Sequence, residues 1–449
     1  MAVFCAYYIQ GRDSMNNSVW TATTQKPQFE SLNSDINTDV LIVGGGLTGI
    51  LCAYMLKKSG IDYTLIEANK ICSGITKNTT AKVTVQHGLI YEKIINKYGV
   101  SVAEKYYKAN NNALNQYRKL CQEINCHFET KDAYVYSLNS IEKIKKEIRA
   151  YNSIGVKANF ITDIPLPFKV AGAVKLKNQG QFNPLEFLYK LSQNLNIKEN
   201  TKLINLTAQY AETNKGKICF KKVIIATHFP VLNKHGSYFL KMYQHRSYVI
   251  ALDNAQDARG MYVDDNIKGL SFRNYNNLLL IGGGSHRTGK SGGNWAEIMA
   301  FAKKHYPNSK IKYKWATQDC MTLDGLPYIG NYSKNTPNLF VATGYNKWGF
   351  TSAMVAAEIL CDLVGEKHNE YASVFSPFRS ILHPQLAING VETFLNIITP
   401  TAPRCPHLGC ALKYNKYEHT WDCPCHGSRF TKEGKLIDGP ATDDKIIHN

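Results

Sequence analysis

Val40 to Val43 form an uninterrupted apolar run, as a strand buried on both faces requires. From Leu47 the period changes. Leu47, Ile50, Leu51, Tyr54 and Met55 recur at helical spacing, and Gly60 is placed to end the helix. Tyr63 to Ile66 read as the next strand, closed by Glu67. Further on, KVIIATHFPV (222–231) is an apolar strand, and NLFVATGYNKWGFTSAMVAAEIL (338–360) reads as strand, glycine turn and helix. Between them SYVIAL (247–252), GLSFR (269–273) and LLLIGGG (278–284) are strand-like. The run EKIKKEIRA (142–150) mixes charges of both signs and predicts a solvated helix face. Near the end, Leu386, Ile388, Val391, Phe394 and Leu395 follow the spacing of an amphipathic helix. No apolar run reaches the length of about 18 residues that a membrane span needs, and no internal repeat is visible.

Composition changes this picture little. At 449 residues and 44% apolar content, the chain is long enough for two or three cores. The formal charge of +18 comes from scattered basic residues, not a stripe, so nucleic-acid binding is not indicated. An acidic protein partner fits through electrostatic steering. Eight of the twelve cysteines, Cys5, Cys52, Cys72, Cys121, Cys126, Cys219, Cys320 and Cys361, are dispersed singly and do not suggest a disulfide framework. The start, MAVFCAYYIQGRDS, lacks a basic leader region and makes a poor signal peptide. A reducing cytoplasm is the expected location. Met15 is an alternative start, because SVWTATTQKP looks like the beginning of an ordered domain.

The first strand and helix are joined by Gly44, Gly46 and Gly49 in G-x-G-x-x-G spacing. Gly44 allows the tight turn, Gly46 lets backbone approach a pyrophosphate, and Gly49 lets helix and strand pack closely. The free N–H groups at the helix start, with Leu47 and Thr48, face the phosphates. Glu67 follows Gly49 by 18 residues, where a carboxylate reaches ribose hydroxyls, with Ala68 beside it. Strand, turn, helix, strand and acid in register point to a dinucleotide. The acid alone does not separate FAD from NAD.

The glycine turn, the 222–231 strand with Ala226-Thr227, and the 338–360 unit together resemble the D-amino-acid-oxidase-like FAD oxidoreductases, a family that includes glycine and sarcosine oxidases. The resemblance covers residues 35–378 and is weakest in 90–200, where GQFNPLEFLYKL (180–191) matches the turn and helix before the second FAD-contacting strand. It implies that Gly344, Lys347, Trp348, Gly349 and Phe350 border the flavin, at a helix whose dipole stabilises negative charge on it. It also implies that Ser73, Gly74, Thr79, Thr80 and Lys82, in the Thr-rich stretch 73–91, run along the FAD. The 240–320 strands then form an antiparallel sheet over the active site. Lys347, Trp348 and Arg287 are weak candidates for catalysis; Arg287, with His286, is placed to meet a substrate carboxylate. Cys320, in a Cys-Met context like that of covalently flavinylated sarcosine oxidases, is either a buried thiol or an attachment point.

The stretch CPHLGCALKYNKYEHTWDCPCHGS (405–428) holds Cys405-x-His407 and, fifteen residues later, Cys423-x-x-His426. Zinc sites with two cysteines and two histidines usually pair like with like. Here each loop offers one of each, which suits a [2Fe–2S] cluster with two thiolates on one iron and two imidazoles on the other. A zinc site or a disulfide knot is the other reading of the residues. CPHLGC and CPCHGS both resemble Rieske boxes. That resemblance implies Cys405, His407, Cys423 and His426 as ligands, a Cys410–Cys425 disulfide between the loops, Gly427 and Ser428 bonded to sulfur, and the two histidines facing an external carrier. His419 is an exposed turn residue on this reading. The resemblance has a departure: only 25 residues separate Arg379 from Cys405, with no strands before the first loop, so the module is pared down.

The expected architecture is an α/β FAD-binding domain, Rossmann-like and of the glutathione-reductase type, with an inserted antiparallel sheet and a truncated Rieske-type β module. The divisions are an extension at 1–34, the flavoprotein at 35–378, a helical linker at 379–398 and the Rieske module at 399–449. Within the flavoprotein, 35–90, 180–235 and 320–378 hold FAD, and about 91–179 with 236–319 hold the substrate. The expected function is an oxidoreductase passing electrons between a small amine, amino-acid-like or hydroxyl substrate, FAD, the cluster and an external carrier protein or quinone. Imidazole ligation sets such clusters at roughly −150 to +300 mV, against about −400 mV for plant-type all-cysteine ones, so reduced flavin can feed them. An O2-using oxidase with a vestigial cluster and a non-catalytic redox sensor are the alternatives.

Overall fold

The computed structural model describes residues 17–232, 235–400 and 403–444. Cys5 and the Met15 start lie outside them. In the first sheet, five parallel strands lie side by side in the order Leu339–Thr343, Gly216–Ile225, Ile36–Val43, Tyr63–Ile66 and Ile197–Lys198. Val40 pairs with Lys222 on one side and Tyr63 on the other. The apolar runs are continuous because both faces are covered. Val40, Ile42, Leu65 and Ile224 enter one core, while Leu41, Val43, Ile66 and Ile225 enter another. The Leu47–Lys58 and Gly349–Val364 helices pack in the first of these. Gly60, just past the end of Leu47–Lys58, has the left-handed φ of +69° that suits glycine there.

The second sheet has nine strands. Its main path runs Lys310–Thr322, Met242–Asp253, Leu278–Arg287, Ser271–Tyr275, Met261–Asp264, Glu129–Ser137, Gly172–Gln181 and Lys82–Val83. It is antiparallel except where Met261–Asp264 runs parallel to Glu129–Ser137. Strands from both sides of the 180–235 segment therefore share one sheet. The 142–150 run lies in the Ile141–Ser153 helix and is mostly solvated. Glu147 is the buried exception among its charged residues, accepting from the Tyr91 and Glu92 backbone N–H groups at 2.9 and 3.0 Å.

The C-terminal part is a four-stranded antiparallel sheet of three-residue strands, Lys413–Asn415, Thr420–Asp422, Arg429–Thr431 and Leu436–Asp438. Its core is small: Cys405, Cys410, Leu412, Cys423, Cys425, Phe430 and Ala441. The helix before it runs Pro384–Ile398, capped by the His383 side chain. Its amphipathicity is inverted. Ile388, Val391, Phe394, Leu395 and Ile398 are 52–62% exposed, whereas Asn389, Glu392 and Asn396 are 2–9% exposed. Among the described residues no helix is long and apolar enough to cross a membrane.

Candidate functional site

The carboxyl ends of four of these parallel strands open into one cavity of about 980 Å³, lined by Val43, Ile66, Ala226 and Thr343 at those ends. This is where open α/β sheets place their ligands. The glycine turn shapes the near wall. Gly44 adopts φ +111°, and a Cβ there would lie 2.6 Å from the Ala226 carbonyl oxygen. A Cβ on Gly49 would lie 1.9 Å from the Gly44 carbonyl, so close packing of helix on strand demands glycine at both positions. Gly46 caps the helix, and Leu47 N–H donates to Thr76 Oγ1 at 3.2 Å. Glu67 accepts from Gly45 N–H at 2.8 Å and Asn69 N–H at 2.9 Å. Burial raises its carboxyl against those two bonds.

Every sequence-predicted residue of this site except Gly49, His286 and Arg287 lines the cavity. The Gly44, Gly46, Leu47, Thr48, Glu67 and Ala68 group is joined by Ser73, Gly74, Thr79, Thr80 and Lys82, and by Ala226 and Thr227. Gly344, Lys347, Trp348, Gly349 and Phe350 form the far wall. Gly49 stands behind the turn it makes possible. Arg273, fully buried, holds the threonine loop by donating to the carbonyls of Thr80 and Ala81 at 2.8 and 2.7 Å. Burial, with Arg273 adding repulsion, pushes Lys82 down to about 7.

The far wall carries chemistry that local sequence did not reveal. Asn346 and Lys347 both have positive φ, +50° and +74°, a strained turn held by Asn346 Nδ2 on the Gly344 carbonyl at 2.6 Å and Thr322 N–H on Asn346 Oδ1 at 2.9 Å. The turn aims Lys347 Nζ at Ser285 Oγ (2.9 Å) and Ser247 Oγ (3.1 Å). Burial lowers the Lys347 amine and Asp319 opposes this; burial likewise raises Asp319 to about 6. Both groups line the cavity. His87 Nδ1 lies 2.6 Å from Tyr106 Oη, and its ring stacks on Trp348 with centroids 5.1 Å apart. Burial pushes His87 down to about 3, so it is neutral. Ser247, Ser285 and Asp319 sit on three strands of the nine-stranded sheet. Their sole sequence signal is a polar residue at an edge of an apolar run.

Cys320 also lines the cavity. Burial pushes its thiol far above the ordinary range, so it stays protonated and is a poor nucleophile. Flavin is therefore expected to be held without a covalent bond. Acid precipitation of the holoprotein should leave a colourless pellet, and a yellow pellet would assign the attachment.

Arg287 is not at the cavity. Its guanidinium donates to Pro424 O at 3.1 Å, Cys425 O at 3.2 Å and Asn389 Oδ1 at 2.9 Å. It steadies the second cysteine loop instead of waiting for a substrate. His286 stacks on Tyr248 and likewise lines no part of the cavity.

The two cysteine loops are built alike. Gly409 N–H closes on the Cys405 carbonyl and Gly427 N–H on the Cys423 carbonyl, both at 2.9 Å. Cys405 and Cys423 thus occupy the same place in each turn. The imidazoles of His407 and His426 meet with centroids 4.9 Å apart. Both ring nitrogens of His426 are buried and neither meets a hydrogen-bond partner, a costly arrangement for a protein-only site and a fitting one for metal ligands. The sulfurs of Cys410, Cys423 and Cys425 lie within 4.8 Å of one another. Cys410 and Cys425 are free thiols, sharing this sulfur-lined site with Cys423, so the expected disulfide is not formed. Of the two histidines expected to face outward, His407 is partly exposed and His426 is not. His426 is buried among Phe229 and Phe239, with centroids 6.4 and 6.1 Å away, and Phe229 stands equally close to His407. His419 is exposed in a turn.

The tail is fixed to the nine-stranded sheet by buried polar contacts. Gln244 Nε2 donates to the carbonyls of His426 (2.8 Å) and Gly439 (3.0 Å), and Gln318 Nε2 to that of Gly427 (2.9 Å). Glu418 accepts from Arg246, Arg429 and the Tyr248 hydroxyl. Leu436, Ile437, Asp438, Gly439, Ala441 and Thr442 of the tail complete a wall of the cavity.

Comparison with known proteins follows the same division. The family described as FAD dependent oxidoreductase (DAO) matches residues 39–363, and the Rieske [2Fe-2S] domain family matches 395–447. The chain is 35% identical to YhfW of Bacillus subtilis (strain 168), named as a Rieske 2Fe-2S iron-sulfur protein, over 94% of this chain and 95% of that one. It is 23% identical to the gamma-glutamylputrescine oxidoreductase of Escherichia coli (strain K12), over 80% and 92% of the two chains. Glycine oxidase from Geobacillus kaustophilus shares the fold at a TM-score of 0.64 and 19% identity, over 77% of this chain and 99% of that one. With its glycine turn, its cavity and its paired cysteine–histidine loops, this chain belongs to the DAO-type FAD dependent oxidoreductases and carries a C-terminal Rieske [2Fe-2S] domain, with FAD and a [2Fe–2S] cluster as its cofactors.

Proposed function

We propose that the protein oxidises a small amine, amino-acid-like or hydroxyl compound and passes the electrons through its cluster to an external carrier, a protein or a quinone. Bound FAD supplies hydride acceptance, and the cluster supplies one-electron transfer. The observation that carries the reading is Phe229. It follows Ala226 and Thr227 on the cavity wall and touches both imidazoles of the cysteine loops. The flavin cavity and the cluster site are thereby in contact through one aromatic side chain, with the cluster ligands being Cys405, His407, Cys423 and His426.

The residues divide the work. Gly44, Gly46 and Gly49 with the helix start receive the pyrophosphate, and Glu67 with Ala68 the ribose. Ser73, Gly74, Thr79 and Thr80 lie along the cofactor. Gly344, Trp348, Gly349 and Phe350 border the ring. Lys347, fixed by two serine hydroxyls, supplies a positive charge for a carboxylate or another anionic group of the substrate. Amine and amino-acid chemistry is supported by the names of the gamma-glutamylputrescine and glycine enzymes above. Lys347→Met is expected to raise the KM for an anionic substrate about ten- to a hundredfold, with kcat changed less. An unchanged KM would remove Lys347 from substrate binding.

The polar-anchored cavity favours an enzyme over a sensor, and the complete ligand set disfavours a vestigial cluster. The single, dispersed cysteines of the flavoprotein part support a cytoplasmic location. The test is anaerobic purification with absorption and low-temperature EPR spectra and metal analysis, followed by a substrate screen for flavin bleaching. Flavin bands, iron and a reduced-cluster signal, with a compound that bleaches the flavin and then reduces the cluster, are the expected results. Zinc in place of iron, or bleaching that never reaches the cluster, would sink the electron route.

A further inference from the structure

The helix Pro384–Ile398 turns its oily side to solvent. Inward, Asn389 bonds Arg287 and the Leu240 carbonyl, Glu392 pairs with Lys290 at 2.6 Å, and the Asn396 carbonyl accepts from Ala411 N–H at 2.9 Å. Outward, Ile388, Val391, Leu395 and Ile398 form an i, i+3, i+7, i+10 stripe, with Phe394 and Ile397 beside it. Leu382, 84% exposed, and Ile381 extend the face ahead of the helix. At the other end Arg404 donates to the carbonyls of Asn396, Ile397 and Gly409, which brings the loop tip and its exposed Leu408 to the helix end. A helix that folds against its own protein does the reverse, burying the apolar stripe. Apolar faces of this extent mark interaction sites.

We infer that this face rests in the headgroup layer of a membrane carrying anionic lipid. The stripe is aliphatic from end to end, and Glu392, turned inward, is the sole formal charge between Ile381 and Ile398. The chain's net charge of +18 complements an anionic leaflet. With 15 residues the helix is too short to span a bilayer, which takes about 20, and suits lying along its surface. Residues 364–394 match neither family above, so most of the helix is an element of this chain at the joint of its two parts. Arg287 ties Asn389 to the second cysteine loop, and Asn396 and Arg404 hold the first, so docking here sets the helix that backs both loops against lipid, with the exposed Leu408 of the first loop at its end. The inference goes beyond the proposed reaction and stands or falls without it.

The test uses the full-length protein with its cofactors and vesicles of phosphatidylcholine, alone or with equal phosphatidylglycerol. Wild-type protein should pellet with the anionic vesicles, less so in high salt. Val391→Ser with Leu395→Ser should weaken this at least about tenfold with unchanged flavin and cluster absorption. Should that variant fail to fold, Phe394→Trp provides the reading. Its emission should shift to the blue on anionic vesicles and be quenched by lipids brominated in the acyl chain. Wild-type protein that stays in the supernatant with both vesicles overturns the inference. So does a self-associated species in light scattering that the double variant abolishes while neither protein binds vesicles, since the face would then join two copies of the chain.

Discussion

Replacing Cys423 by serine is expected to remove the iron altogether while flavin stays bound. Cys423 is fully buried at the start of the second loop, in the position Cys405 holds in the first. A serine hydroxyl is a much poorer iron ligand than a thiolate, and the His426 nitrogens beside it have no protein partner to fall back on. The flavin is expected to survive because the glycine turn rests on Ala226 and Thr76, outside the tail. Metal analysis should show no iron and EPR no reduced-cluster signal, with flavin absorption retained. Substrate should still bleach the flavin, yet electrons should no longer reach an added acceptor. Cys410→Ser is the companion: Cys410 is not assigned as a ligand, so iron should remain. Iron lost equally from both variants would refute the ligand assignment, and turnover persisting in iron-free Cys423→Ser would refute the electron route.

Glu418→Gln is expected to release the tail. Burial alone would raise this carboxyl, but Arg246 and Arg429 beside it hold it down at about 2. Neutralising it leaves two buried guanidinium groups with less opposing charge, although Arg429 keeps Asp422 at 3.1 Å and Asp438 at 3.2 Å. Removing one partner of such a buried pair costs about 3–5 kcal/mol. In urea, the cluster absorption of the variant should therefore disappear well before flavin is released, and protease should cut the tail sooner. The pH dependence follows from the sign of the shift. A carboxyl depressed on folding stabilises above its unfolded value of 4.5, and that stabilisation is lost as pH falls toward about 2. Wild-type tail docking should weaken across that window, and the glutamine variant should lack this acid limb. Identical urea profiles for the two proteins would show that the network contributes nothing to docking.

The parts legible in sequence were those whose chemistry is local. Gly44, Gly46 and Gly49 sit where one strand ends and one helix begins, so spacing alone announced the turn. The two cysteine–histidine loops were legible for the same reason. Convergence across the sheet was not. Ser247, Ser285 and Asp319 come from strands far apart in the chain and meet Lys347 only because of register, with Tyr248 opposite Gly283 and His245 opposite Asp319. Arg287 looked like a carboxylate binder because nothing nearby in sequence showed that Pro424 and Cys425 would claim it. The burial of His426 was hidden too, since CPCHGS describes a loop and not what it packs against. The linker helix was legible, but periodicity reports two faces and not which of them faces water.

The tail strand Leu436–Asp438 and the residues after it belong to two sites at once. They close the small sulfur-bearing fold, and they also finish the side of the pocket that receives the dinucleotide. A substitution there cannot be neutral for one cofactor and tested on the other alone. A chain ending before residue 399 would not be a lesser oxidase with its relay removed. It would have a pocket open along one flank, with Gln244 and Gln318 turned toward water in place of the carbonyls they now serve. The two halves, separable as families, have become a single inheritance in this protein.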